Sequence, residues 1–189
     1  MAQRRENKVA TIVAAAWDLA RENGVAGVSL HALAREVGMR QPSLYAYFDS
    51  KNALYDAMFA DGNRQLLGRL DEVRWPRDRR AAVKRFMRTF ITFGLEDIAR
   101  SQLLFRRTIP GFEPAPESYR YAEEVLRRAY DVLRVAGVSD PGDIDCVIAM
   151  VGGLMEAQTS NDPDGDRWIR HLDRLIDLYL DDAAQRSNS

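Results

Sequence analysis

Residues 29–58 read SLHALAREVGMRQPSLYAYFDSKNALYDAM, and the spacing within that stretch decides the fold. Leu30, Leu33, Ala34 and Val37 recur three and four residues apart, which marks one face of a helix over 30–37. Ser29 stands where an N-cap hydroxyl belongs, and Gly38 where a chain leaves a helix. A second short helix follows over 41–47, with Leu44 and Phe48 one turn apart. Two short helices joined by a glycine-containing turn are a helix-turn-helix, here spanning about 29–48. The second helix is roughly 10 Å long and too short to be stable alone, so Leu44 and Phe48 must anchor it. With those two inward, a rotation of about 100° per residue turns Pro42, Ser43, Tyr45 and Ala46 outward, with Gln41 and Tyr47 on the flanks.

On both sides of this stretch the helical period continues. Upstream, Val9, Ile12, Ala16 and Leu19 form a stripe closed by Asn23-Gly24. Downstream, a helix runs from 51 to about 70 through Leu54, Met58, Leu66 and Leu70. Past Trp75-Pro76, further helices are predicted over 79–95, 98–107, 117–135, 144–158 and 168–180. The stretch PGFEPAPES at 110–118 holds three of the seven prolines and is predicted to be a loop. Alternating β-branched runs and internal repeats are missing, so the expected fold is all-α with about nine helices.

Composition bounds the function. The chain of 189 residues is 46% hydrophobic and 29% charged, an ordinary globular mixture. No apolar run is long enough to span a membrane. The basic start turns apolar but meets Asp18, Arg21 and Glu22 at once, so it reads as a first helix and the protein as cytoplasmic. The single cysteine, Cys146, excludes an internal disulfide, and its place in DCVIAMV predicts a small buried residue. No cofactor, metal site or catalytic site is expected. Phosphate-binding glycine loops, metal-binding histidine pairs and nucleophile elbows do not occur, and His171 reads as a surface residue. The net charge of −1 divides unevenly: residues 1–51 hold seven Lys/Arg against five Asp/Glu, and the remainder twenty against twenty-three. That asymmetry permits a nucleic-acid partner without requiring one.

The outward face of the second short helix suits a major groove. Gln41 can pair with an adenine edge, Ser43 can donate or accept, and Ala46 can approach a thymine methyl. Tyr45, Tyr47 and Lys51 have the reach for phosphate oxygens. By periodicity alone, Tyr45 and Tyr47 can equally be half-buried aromatics of a helical domain.

Residues 8–58 resemble the DNA-binding domain of the tetracycline-repressor (TetR) family. The resemblance rests on AAAWDLARENGVAGVSL at 14–30, LAREVGM at 33–39 and PSLYAYFDSKNALYDAM at 42–58, above all on Leu44, Tyr45, Tyr47, Phe48, Lys51 and Leu54. It implies a DNA-binding domain over 1–50 and a helical ligand-binding and dimerisation domain over 51–189. It also implies a homodimeric repressor of a palindromic double-stranded operator. Ser29, His31, Arg40, Gln41, Ser43, Tyr45, Tyr47 and Lys51 then become DNA-contact candidates, alongside Pro42 and Ala46. Arg40 departs from the hydroxyl residue the family often has there, so the operator does not transfer by analogy.

In the body, Ile144, Val147, Ile148, Val151 and Met155 form one broad apolar face, and Trp168, Leu172, Leu175, Ile176 and Tyr179 another. The resemblance implies that these two helices pair with their copies, Gly152 allowing close approach; the alternative is a purely internal core. Phe86, Met87, Phe90, Phe93, Leu104, Phe105 and Tyr121 can wall a pocket for an apolar or amphipathic small-molecule effector, or simply fill the interior. The competing function is a helical small-molecule-binding or scaffolding protein without DNA binding.

Overall fold

The described residues of the computed structural model, 2–106 and 108–187, hold nine α-helices and two 3₁₀ turns, with no strand among them. The helices are α1 (Ala2–Asn23), α2 (Leu30–Glu36), α3 (Gln41–Tyr45), α4 (Lys51–Asp71), α5 (Arg79–Leu95), α6 (Ile98–Phe105), α7 (Pro116–Val135), α8 (Pro141–Asn161) and α9 (Leu172–Ser187). Every helix expected from the apolar period is present, and the differences lie at helix ends. Helix α8 starts ahead of its apolar stripe because the Asp140 carboxylate accepts the Asp143 amide at 3.1 Å and Pro141 fits a first turn. Residues 169–171 form a 3₁₀ turn instead of the start of α9. The cause is Gln158, fully buried near the end of α8. Its Oε1 accepts the Trp168 and Ile169 amides at 2.9 and 3.2 Å, while its Nε2 donates to the carbonyls of Asp162 and Gly165. One side chain thus satisfies backbone groups that a continuous helix would have used internally.

The chain forms two compact units, neither continuous in sequence. The first comprises 1–65 and 97–122, so α6 and the beginning of α7 join α1–α3 and most of α4. Its core gathers Ile12, Ala16, Trp17, Leu33, Leu44, Leu54 and Met58 with Ala99 and Leu103 of α6. Polar ties reinforce it. Trp17 Nε1 donates to Asp61 at 2.9 Å, and Arg21 Nε to Asp97 at 2.8 Å, while Asp97 also caps α6 through the Arg100 amide. The compact units therefore do not divide at residue 50: α6 and most of α4 complete the core of the three N-terminal helices.

The second unit comprises 66–96 and 123–189. Here Val83, Phe86, Met87 and Ile91 of α5 and Leu133 of α7 share the interior with buried residues of α8 and α9. Lys84 and Arg80 of α5 meet Asp177 of α9 at 2.6 and 3.1 Å, and these cations, Lys84 foremost, hold that carboxyl below its ordinary range. Both ends are partly solvated, so such pairs contribute at most about 1 kcal/mol each.

The candidate dimerisation residues are covered to different degrees within the single chain. Ile144, Val147, Val151, Met155, Leu172 and Ile176 are buried within the single chain, while Ile148, Gly152, Trp168, Leu175 and Tyr179 are partly covered. The helical period explains this: the broad apolar face of α8 is the inward one. Its outward side carries Asp145, Cys146, Ala149, Gly153 and Glu156, and on α9 Leu178 is 55% exposed. Cys146, expected to be buried, is exposed for the same reason. His171 is exposed, as expected. No helix among the described residues is long and apolar enough to cross a membrane.

Leu44 is fully buried in the first unit. Leu44→Ala is expected to lower the unfolding free energy by about 2–5 kcal/mol in urea titrations followed by circular dichroism. A loss within the roughly 0.5 kcal/mol of an ordinary surface substitution would show that α3 is anchored by something else.

Candidate nucleic-acid interface

Helix α2 begins on Ser29, whose Oγ accepts the Ala32 amide at 3.1 Å. It ends on Gly38 at φ 65°, the left-handed conformation in which a side chain is strained. There the Met39 amide donates to the Ala34 carbonyl at 2.8 Å and the Gly38 amide to that of Arg35 at 3.1 Å, the paired bonds of a glycine helix stop. Helix α3 then starts with Pro42 in its first turn and Arg40 at its N-cap, where no side chain caps the free amides. The missing hydroxyl noted in the sequence is thus a real gap, with the Arg40 side chain exposed beside it.

Helix α3 is only five residues long and continues into a turn through Ala46 and Tyr47. Leu44 and Phe48 are buried; Gln41, Pro42, Ser43, Tyr45 and Ala46 are exposed and Tyr47 is partly covered. That is the division expected from the helical rotation. The two tyrosines differ: Tyr45 is 45% exposed and projects, whereas Tyr47 is half-buried against the core. The first turns of α2 and α3 meet on this surface, where His31 Nδ1 lies 3.3 Å from Gln41 Oε1. With the amide oxygen turned to the imidazole, the Gln41 amide nitrogen is left to donate outward.

Lys51 is placed differently from the sequence reading. Its Nζ donates to the Ala26 carbonyl at 2.7 Å and lies 5.3 Å from the centre of the Tyr55 ring. It is a strut between α4 and the turn ahead of α2, not a side chain extended to the outer face. One turn later, the buried Tyr55 hydroxyl donates to the Val25 carbonyl at 2.8 Å. Two side chains of α4 therefore hold the strand of backbone that launches α2. Sequence reasoning passed over Tyr55, although its spacing of four from Lys51 was a usable clue.

The candidate pocket residues are divided between the two compact units. Phe86, Met87 and Phe93 are buried in the second unit and Phe90 is partly covered there. Tyr121 stacks under Arg64 and Arg120, and the Arg120 hydrogen bond holds its hydroxyl below the ordinary tyrosine range. Only Leu104 and Phe105 border the cavity found in the first unit, about 420 Å³ in volume. Its other walls include Phe59, Ile109, Phe112 and Tyr119, with Arg106 and Glu113 as the charged groups. The rings of Phe59 and Tyr119 lie parallel with centroids 6.2 Å apart. Ile109 and Phe112 come from the proline-rich loop, where no helical period shows which way a side chain faces. That loop is tied to α4: Asp56 accepts the Ala115 amide and the Ser118 hydroxyl, each at 2.7 Å, and Tyr55 meets the Phe112 ring edge-on.

A capped support helix, a left-handed glycine turn and a short helix displaying polar side chains from two buried anchors define a helix-turn-helix reading head. Residues 12–58 match the family of bacterial regulatory proteins described as "tetR family". The chain is 28% identical over 168 residues to the class A tetracycline repressor protein from transposon 1721 of Escherichia coli, covering 83% of this chain and 70% of that one. It is 29% identical over 131 residues to an HTH-type transcriptional regulator of Mycobacterium tuberculosis, covering 65% of this chain but only about half, 53%, of that protein. The structure of BioQ with its double-stranded DNA operator shares the fold at a TM-score of 0.65 and 20% identity, over 94% of this chain and 98% of that one. The chain is thus similar to TetR-family transcriptional regulators, most specifically over the helix-turn-helix region at 12–58.

Tyr55→Phe removes the only hydroxyl that reaches the Val25 carbonyl from α4. It is expected to cost about 1–3 kcal/mol of stability and to raise amide exchange at the start of α2, read by hydrogen–deuterium exchange. Unchanged exchange there would mean that the Val28 amide, which donates to the same carbonyl at 3.3 Å, suffices.

Proposed function

We propose that the protein is a cytoplasmic, ligand-responsive repressor that binds a palindromic operator as a homodimer, and is not an enzyme. The observation that carries this reading is the exposed polar face of α3, projected by the burial of Leu44 and Phe48. In the major groove, Gln41 reads an adenine or another acceptor edge, Ser43 assists, and Ala46 leaves room for a thymine methyl. Tyr45, Tyr47, Arg40 and the start of α2 (Ser29, His31) meet the phosphate backbone, which sets register without reading sequence. The BioQ complex with its operator supports this use of the fold.

A second copy is needed because two heads must reach successive major grooves about 34–36 Å apart. The surface we assign to that contact is the exposed strip of α8 and α9: small at Ala149 and Gly153, apolar at Leu178. The effector site is the cavity bordered by Phe59, Phe105, Phe112 and Tyr119, and its aromatic walls suit an apolar or amphipathic compound. Such a compound acts only if it binds the DNA-incompetent arrangement better than the competent one.

The reading is tested by mobility shift on the DNA upstream of the protein's own coding sequence, across a salt series. Binding should weaken steeply with salt as phosphate contacts are lost. Absence of any salt-sensitive shift would favour a helical binding or scaffolding protein without DNA binding. Gln41→Ala is expected to cost about 1–3 kcal/mol at one operator position and to relax preference there; an equal loss on operator and random DNA would remove Gln41 from the readout. Leu178→Glu is expected to shift the protein towards monomer in analytical ultracentrifugation and to weaken operator binding with it. A dimer that persists unchanged would move the contact elsewhere.

A further inference from the structure

Helix α1 begins at Ala2, although its first apolar residue packed on the core is Val9. Residues 3–7 are exposed and Lys8 is only partly covered, so the first two turns bury almost nothing. They are nevertheless helical and tied down. Gln3 Nε2 donates to Asn7 Oδ1 at 3.2 Å, and Arg5 Nη2 donates to the Ala46 carbonyl at 3.1 Å, across 41 residues of sequence. The Arg5 guanidinium also lies 5.5 Å from the centre of the Tyr47 ring, a cation–π distance. Ala46 is the C-cap of α3. The overhang of α1 is therefore docked on the end of the reading helix.

Arg4, Lys8 and Thr11 follow one another at helical spacing on one face, with Arg5 next to them and Glu6 on the opposite side. This face opens onto a shallow recess lined by Arg4, Arg5, Asn7, Lys8 and Thr11 together with Ala46 and Tyr47. The recess offers three cations, an amide and two hydroxyl side chains, and no carboxylate. Among the described residues neither Arg4, Arg5 nor Lys8 has a carboxylate partner. A solvated helix end needs no such arrangement. The bond of Arg5 to the Ala46 carbonyl and its place over the Tyr47 ring hold this end of α1 against α3. The arrangement fixes a positive strip alongside the tyrosine at the edge of the reading face, where a polyanion would run.

We infer that the first two turns of α1 are a second phosphate-binding surface, seating the DNA backbone that flanks the groove entered by α3. Arg4 and Lys8 bind phosphate oxygens. Arg5 is a positioning residue that locks the strip to Ala46 and Tyr47. This rests on the reading of α3 as the DNA-contacting helix, and it adds affinity without adding sequence preference.

The test is fluorescence anisotropy of the full-length protein on two labelled duplexes, one random in sequence and one from the region upstream of its own coding sequence, over a salt series. The Arg4→Ala/Lys8→Ala double variant should flatten the slope of log affinity against log salt by about 1.8, two phosphates at roughly 0.9 each. It should weaken both duplexes by the same factor, leaving their ratio unchanged. Arg127→Ala, which removes an exposed cation of α7, should leave the slope unchanged. Both replaced side chains make no contact with the core, so helix content and the thermal midpoint should match the parent; Arg4→Gln/Lys8→Gln gives the same comparison if they do not. A slope equal to that of the parent overturns the phosphate assignment while leaving the role of α3 intact. Failure of the parent protein to bind either duplex overturns the reading of α3 itself. A change in the ratio of the two affinities shows that the strip reads sequence and overturns the inference as stated.

Discussion

A helix of five residues cannot hold itself in water, because too few internal hydrogen bonds form to offset the entropy of ordering it. Everything at the reading head follows from how this protein meets that constraint for α3. Leu44 and Phe48 bury the inner side against α1 and its neighbours, Pro42 presets the first turn, and Gly38 reverses the chain just before it. Burial of those two side chains dictates which residues remain outside. The polar face at Gln41, Ser43 and Tyr45 is displayed because the apolar one is pinned.

The pinning extends beyond the first three helices. Lys51 and Tyr55 of α4 hold carbonyls of the segment that launches α2, and two residues of α6 complete the core beneath. The proline-rich loop is then held on α4 by Asp56, which accepts one amide and one hydroxyl from it. The same two turns of α4 thus grip both the support of the reading head and the wall of the cavity that carries Phe112. Asp56, which holds that wall, is only one turn from the residues that hold α2, within a single compact unit.

Buried polar groups settle the details of the second unit in the same way. Gln158 sits in an apolar setting and is tolerated because its oxygen and nitrogen are both satisfied by the turn it organises. Asp143 gathers the Tyr179 hydroxyl and Arg186; burial, and next the bond to that carboxylate, keep the Tyr179 hydroxyl well above its usual range.

The sequence by itself determined the all-α class, the helices and the inside–outside division of α3, since each of these depends on local period and on turn residues such as Gly38 and Asn23-Gly24. Helix ends followed wherever a cap was local, as at Ser29. Tertiary structure alone decided what depends on contacts between distant segments. It turned Lys51 inward to Ala26, placed α6 under the reading head, and aimed the Phe112 and Ile109 side chains of a loop that has no period. It also docked Arg5 on Ala46 and Tyr47. The broad apolar faces of α8 and α9 mark the extremes of this limit. Period shows that a face is buried, but whether the covering surface belongs to the same chain or to another is a property of packing, and here Ile144, Val147 and Ile176 are covered from within.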